Sequence, residues 1–221
     1  MKHPARCLLF DLDGTLLDTA PDLAAALNAT LAANGRAVMP FADIRPVVSH
    51  GARALIELGF GWNPDHPDFE RVRQQLLDYY RQHLCEHTRL FPGMDALLGE
   101  LERRGVPWGV VTNKPAWLTD PLLDGLGLLG RAASVVSGDT LSRRKPDPAP
   151  LLHACDAIGI EPQGCLYLGD AQRDIEAGRN AGMQTLVALF GYVSDDDRPA
   201  TWRADGMISH PLEALDWVAL D

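Results

Sequence analysis

The sequence predicts an α/β fold, a parallel sheet covered by helices with an all-helical segment inserted after the first strand. Three observations carry that prediction. A short apolar run, Cys7-Leu8-Leu9-Phe10, opens straight into Asp11-Leu12-Asp13-Gly14-Thr15. Nothing from residue 18 to 87 reads as a strand. From residue 88 onward, short apolar runs alternate with helical stretches, the rhythm of parallel strands joined by crossover helices.

Four apolar residues in a row are too few for a helix and suit a strand buried on both faces, so 7–10 is the first strand. Pro21 and Asp22 open an Ala/Leu-rich helix over 21–34 that stops at Gly35. A shorter helical stretch covers 41–47, another begins at 52–56, and 59–64 reads as a turn. A long helix is expected over 67–87, with Phe69, Val72, Leu76, Tyr80 and His83 on one stripe. Beyond it, helices are expected at 94–104, 116–126, 149–158, 173–181 and 212–218. The strands between them fall at 108–112, 133–137, 165–168, 185–189 and 206–208. The first strand belongs with these, giving a Rossmann-like core of residues 1–17 and 88–221 and a helical cap domain of residues 18–87. Asp195-Asp196-Asp197 forms a short acidic loop.

Composition narrows the function. With 46% hydrophobic and 23% charged residues, the 221-residue chain is globular and can bury a core. A net charge of -10 argues against nucleic acid as a partner, since gripping a phosphate backbone needs a basic face. A small anionic substrate stays compatible, because local dipoles and metals can outweigh the global field. Cys7, Cys85, Cys155 and Cys165 show no C-x-x-C spacing, and two sit inside apolar strands, which suggests a reducing compartment. The N-terminal apolar run ends at Asp11, too early for a signal peptide, and no stretch approaches a membrane span. The expected setting is the cytoplasm. Lysine is rare: Lys2, Lys114 and Lys145 are the only ones, so each is worth following.

Polar residues close three of the expected strands. They are Asp11 and Asp13, then Thr112-Asn113, then Gly169-Asp170 with Asp174 four residues on; Lys145-Pro146 lies between the last two groups. Taken alone, Asp11 to Thr15 reads equally well as a polar turn. Parallel strands, however, bring their carboxyl ends to one edge of the sheet, where ligands bind in open α/β folds. Acids, a hydroxyl, an amide and an ammonium then converge. Such a set suits phosphoryl transfer: carboxylates with spare oxygens hold Mg2+, and the remaining groups hold phosphate oxygens.

Asp11-Leu12-Asp13-Gly14-Thr15, Thr112, Lys145 and Gly169-Asp170-x-x-x-Asp174 together resemble the four motifs of the haloacid dehalogenase superfamily, in order and with a helical insertion after the first. The resemblance implies that Asp11 attacks phosphorus to form an aspartyl-phosphate and that Asp13 is the acid-base partner. It further implies Mg2+ held by Asp11, the main-chain carbonyl of Asp13 and Asp170, with Asp174 nearby. Thr112 and Lys145, with Asn113 beside them, would bind the phosphoryl oxygens. Asp13 argues against the branch acting on carbon–halogen bonds, which has no alcohol to protonate. The absence of lysine between 18 and 87 argues against the phosphonate-cleaving branch. A Mg2+-dependent phosphatase remains, with a sugar phosphomutase as the alternative.

The stretch from Trp108 to Pro115, with Gly191-Tyr192 downstream, is similar to the phosphoglycolate phosphatase group, whose relatives include a phosphatase for N-acetylmuramate 6-phosphate. Arg45, His50 and Arg53 are the expected substrate contacts from the cap, suited to a carboxylate. Two further motifs read as decoys. Gly125 to Gly130 matches G-x-G-x-x-G but follows a helix instead of joining strand to helix. His83 to His87 matches H-x-x-E-H without an obvious third ligand. Lys114 reads as a solvated lysine ahead of one serving the substrate side, and Arg173 as a helix-start ion pair or loop contact. Oligomeric state leaves no trace in the sequence.

Overall fold

The computed structural model describes residues 4–194 and 196–219; Lys2 and Asp195 lie outside them. Strand β1 (Cys7–Phe10) ends at Asp11, and after the turn a two-residue strand β2 (Leu17–Asp18) leaves the sheet. Four helices follow: α1 (Ala20–Ala33), α2 (Phe41–Ile44), α3 (Gly51–Phe60) and α4 (Phe69–Gln82), with a 3-10 turn, Arg45–His50, between α2 and α3. The chain returns through β3 (Arg89–Leu90), which pairs antiparallel with β2. Then come α5 (Met94–Arg103), β4 (Trp108–Val111), α6 (Ala116–Gly125), β5 (Ser134–Val136), α7 (Ala149–Ile158), β6 (Cys165–Gly169), α8 (Gln172–Asn180), β7 (Gln184–Ala188) and β8 (Gly206–Ile208).

Six strands form one sheet in the order β5-β4-β1-β6-β7-β8, with every pairing parallel. Strand β1 sits in the middle, Leu9 facing Gly109 on one side and Tyr167 on the other. That central place explains why its four residues are all apolar and all buried. Alternate residues serve two cores. Leu8 and Phe10 join the cluster that continues into α1, α3 and α4, while Cys7 and Leu9 pack with Leu151, Tyr167 and Ala177 on the opposite face. On α4, Phe69, Val72, Leu76 and Tyr80 are buried at helical spacing and pack against α1.

Several boundaries differ from the sequence pattern. Helix α4 stops at Gln82, five residues early, because the chain turns to present the amides of His87 and Thr88 to Asp22. Gly59 and Phe60 complete α3, and the turn begins only at Gly61, whose φ of +69° ends the helix. The C-terminal helix expected at 212–218 is a 3-10 turn, Pro211–Trp217. All four cysteines are free thiols. Among the described residues, no helix is long and apolar enough to cross a membrane.

Candidate active site

The carboxyl ends of β1, β4 and β6 meet at one edge of the sheet. Asp11 follows β1 with its amide donating to Leu168 O at 2.9 Å, and Thr112 follows β4 with its amide donating to Val136 O at 2.9 Å. Asp170 follows β6. Two glycines make room for it: a Cβ at Gly14 would collide with the Asp170 carboxylate, and one at Gly191 would collide with Gly14 O. Gly14 also holds a φ of +87°, open to glycine at little strain. The polar turn after the first strand is therefore a close crossing of three backbones.

Asp11, Asp170 and Asp174 are all buried, and one oxygen from each lies within 4.8 Å of the others. Lys145 Nζ stands among them, 2.8 Å from Asp11 Oδ1 and 2.7 Å from Asp174 Oδ1. Its remaining donor goes to Tyr167 Oη at 2.8 Å, and that hydroxyl donates to Val111 O at 2.8 Å. The ammonium is thus surrounded by protein groups, two of them carboxylates. Asn113 clamps the backbone of the same lysine, donating to Lys145 O and accepting from Lys145 N, both at 3.0 Å.

Three buried carboxylates against the Lys145 ammonium and the nearby Arg173 guanidinium leave negative charge uncompensated. Burial, then Asp11 and Asp174, pushes the Asp170 carboxyl up to about 7. Burial, then Asp11, also raises Asp174, with Lys145 opposing. Asp170 Oδ2 accepts from Ser49 Oγ at 2.7 Å and from the Tyr192 amide at 3.0 Å. Its other oxygen, Oδ1, is buried with no hydrogen-bond partner. An orphaned carboxylate oxygen in a cluster of hard ligands fits a divalent cation.

Asp13 lies apart from this cluster. Its Oδ1 accepts from Thr19 Oγ1 at 2.7 Å and from Lys114 Nζ at 2.9 Å. Lys114 also donates to Tyr80 Oη at 3.0 Å. Its side chain is 6% exposed, so the lysine expected in solvent is a buried partner of an acid. Burial pulls its ammonium down, but Asp13 and then Tyr80 more than offset this, and the net shift is upward.

Asp11 and Asp13 open into a cavity of about 890 Å3, with Thr112, Asn113 and Lys114 on the sheet side and α3, α4 and the 3-10 turn opposite. Lys145, Asp170 and Asp174 lie behind this surface. His50 and Arg53 line the cavity, Arg53 as an exposed side chain paired with Glu57 at 2.8 Å. Arg45 does not: it lines neither this cavity nor the smaller cleft of about 330 Å3 beside Asp170. Its guanidinium instead lies 4.9 Å over the Tyr192 ring and reaches Phe190 O at 3.5 Å. Arg173 is a loop contact, donating to Ser49 O at 2.7 Å from the cavity wall. Ser49 has no local signal in the sequence, Tyr80 is marked only as part of an apolar stripe, and Tyr192 only through the family resemblance. The G-x-G-x-x-G stretch begins at the last residue of α6, away from any strand-to-helix junction. In the other decoy, His83 Nδ1 lies 2.8 Å from Tyr79 O, and His87 offers its amide to Asp22.

The model of the haloacid dehalogenase-like hydrolases matches residues 8–188. The chain is 44% identical to the N-acetylmuramic acid 6-phosphate phosphatase of Pseudomonas aeruginosa, over 96% of this chain and 93% of that protein. It is likewise 44% identical to a phosphoglycolate phosphatase of Xanthomonas campestris, over 96% and 95%. Among solved structures, a crystal structure described as a predicted phosphoglycolate phosphatase from Haemophilus somnus superposes with a TM-score of 0.85 at 28% identity, covering 96% of this chain and 97% of that one.

Proposed function

This chain belongs to the haloacid dehalogenase-like hydrolase family, and on that premise we propose how its site works. It is a phosphoric monoester hydrolase, in keeping with relatives named as phosphatases. One observation carries the mechanistic reading: Asp11 and Asp13 share a cavity floor, but only Asp11 is joined to the buried carboxylate cluster.

Asp11 is the nucleophile. Lys145 holds one of its oxygens, which fixes the other toward the cavity for attack on phosphorus. The product of that step is an aspartyl-phosphate on Asp11. Asp13 gives a proton to the departing alcohol and then takes one from the water that hydrolyses the intermediate. Thr112 and Asn113, at the end of β4, face the phosphoryl oxygens. Lys145 acts on that charge from behind Asp11, offsetting the repulsion between nucleophile and substrate. Asp11, the main-chain carbonyl of Asp13 and Asp170 would hold Mg2+, with Asp174 in support, and the cation would supply neutralisation of charge building on the phosphoryl group. Uncatalysed phosphomonoester hydrolysis is slow enough to need up to ~10²¹-fold acceleration, so nucleophile, acid and cation must act together.

We assign the helical segment of residues 18–87 to a cap that closes over Asp11 and Asp13, excludes water and supplies specificity. The substrate is a small phosphomonoester carrying a second anionic group, as phosphoglycolate does. Arg144 and Arg173 on the cavity wall support that charge preference. The cavity's volume favours a second reading, a larger ester such as N-acetylmuramate 6-phosphate, which also bears a carboxylate. The free thiols accord with a cytoplasmic setting.

A panel of phosphoglycolate, N-acetylmuramate 6-phosphate and hexose phosphates, each with Mg2+ and with chelator, tests the reading. Phosphate release that needs Mg2+ and is fastest on a carboxylate-bearing ester is the expected result. Isomerised product without net phosphate would indicate a mutase, and no turnover of any ester would overturn the phosphatase reading.

A further inference from the structure

We propose that Lys114 is the positioning residue for the acid-base carboxylate, and that through Tyr80 it ties that carboxylate to the helical segment. The inference rests on the reading of Asp13 given above. It starts from how the bonds to Asp13 are shared out. Both fall on Oδ1, one from Thr19 Oγ1 at 2.7 Å and one from Lys114 Nζ at 2.9 Å. With Oδ1 committed, Oδ2 is the oxygen left to carry and exchange a proton. A proton carrier needs this arrangement, because a carboxyl free to rotate about χ2 would offer either oxygen in either direction.

Lys114 can do this because it is itself fixed. Its backbone amide donates to Thr112 Oγ1 at 3.1 Å, so the residue is anchored to the end of β4 beside the phosphoryl side of the cavity. Its ammonium lies 4.5 Å from the Tyr80 ring centroid and donates to Tyr80 Oη at 3.0 Å. Tyr80 is fully buried near the end of α4, so this contact crosses from the sheet edge to the helical segment. Thr19 comes from the turn just before α1, which gives Asp13 a second tie to the same segment. When the acid has given up its proton, the ammonium stabilises the resulting carboxylate without a change of geometry. No local pattern marked this role. It follows from two side chains distant in sequence, Asp13 and Tyr80, sharing the buried nitrogen of Lys114.

The test is leaving-group dependence. An alkyl phosphate needs a proton on its departing oxygen, whereas 4-nitrophenyl phosphate leaves as a stable anion and needs little acid assistance. The variants K114M, K114R, Y80F and D13N are compared by kcat/KM on phosphoglycolate and N-acetylmuramate 6-phosphate, and on 4-nitrophenyl phosphate. For D13N, kcat/KM on the alkyl esters should fall by about 10²–10⁴-fold, with a much smaller loss on the aryl ester. K114M should show the same selective pattern at about 10²-fold, and K114R should recover part of it. Y80F keeps the ion pair and should give a smaller shift in the same direction. Should K114M prove too unstable to purify, Y80F and K114R carry the test. Equal losses on alkyl and aryl esters in K114M would show a merely structural role and overturn the proposal. So would a Y80F profile indistinguishable from the parent, or a K114R profile no better than K114M. If D13N itself shows no selectivity, the acid-base reading of Asp13 fails first, which separates the two outcomes.

Discussion

Two buried lysine–aspartate pairs lie at the same sheet edge, and they differ in charge balance. Lys145 faces Asp11 and Asp174 with Asp170 close behind, one ammonium among three carboxylates. Lys114 faces Asp13 alone, with the neutral hydroxyls of Tyr80 and Thr19 completing its surroundings. The first cluster carries surplus negative charge and an orphaned oxygen, a setting that fits a cation. The second is balanced, so it needs none and can hold a carboxylate in one orientation. On the proposed reading, like chemistry in two settings serves a metal and a nucleophile at one and a proton carrier at the other.

The comparison can be broken at its strongest point first. D11N should lower turnover by roughly 10⁴–10⁶-fold, the scale for removing a nucleophile from groups that act as a unit. Hydroxylamine trapping should then find no acyl-phosphate in the variant and some in the parent protein. Residual turnover above that range would mean that Asp11 is not the attacking group.

Removing Lys145 probes the charge balance. K145M should cost about 3–5 kcal/mol in denaturant unfolding, because it leaves buried carboxylates unpaired. Mg2+ should return more of that loss in K145M than in K114M, where the exposed deficit is one carboxylate and not three. Equal recovery in the two variants would dissolve the distinction between the clusters.

The smallest effect is a pH dependence. Asp170 is pushed up to about 7 from its ordinary 3.8 by burial, then by Asp11 and Asp174. Through that window the folded protein binds the proton more tightly than the unfolded chain. Its contribution is therefore most favourable at acid pH and is lost as pH rises toward 7 in metal-free protein. Mg2+ competes with that proton, so the rise in Tm on adding Mg2+ should be larger at a pH of about 8 than at about 5.5. A Mg2+ effect that does not change between these values would count against Asp170 as a ligand.

How much of this was legible in the sequence depended on whether the signal was local. Asp11, Thr112 and Asp170 each close an apolar strand, with Asp13 two and Asp174 four residues further on, and parallel topology alone brings strand ends together. Lys114 was misread because a lone lysine is ordinarily solvated; only the approach of Tyr80 from a distant helix buries it. Asn113 was placed at the site, but nothing in its own neighbourhood told that both faces of its amide would go to the Lys145 backbone. Arg45 had the right type and the right segment, yet the 3-10 turn aims it at Tyr192 and not at the cavity. The ribbon of β2 and β3 is two residues long on each side, below the length at which alternation can be read.

That ribbon has a consequence for how such a chain can change over time. Leu17 pairs with Leu90 and Asp18 with Arg89, and Asp22 accepts from the amides of both His87 and Thr88. The departing and returning strands are therefore fastened side by side, and the sheet meets its long insertion as it would meet a hairpin. Loop closure costs grow only slowly with the length of what is closed. Residues within the insertion can then be exchanged, lengthened or trimmed at little cost to the sheet, provided the fastening stays intact. With the cap assignment proposed above, substrate preference becomes a property that can drift in the insertion while the chemistry is inherited unchanged in the sheet.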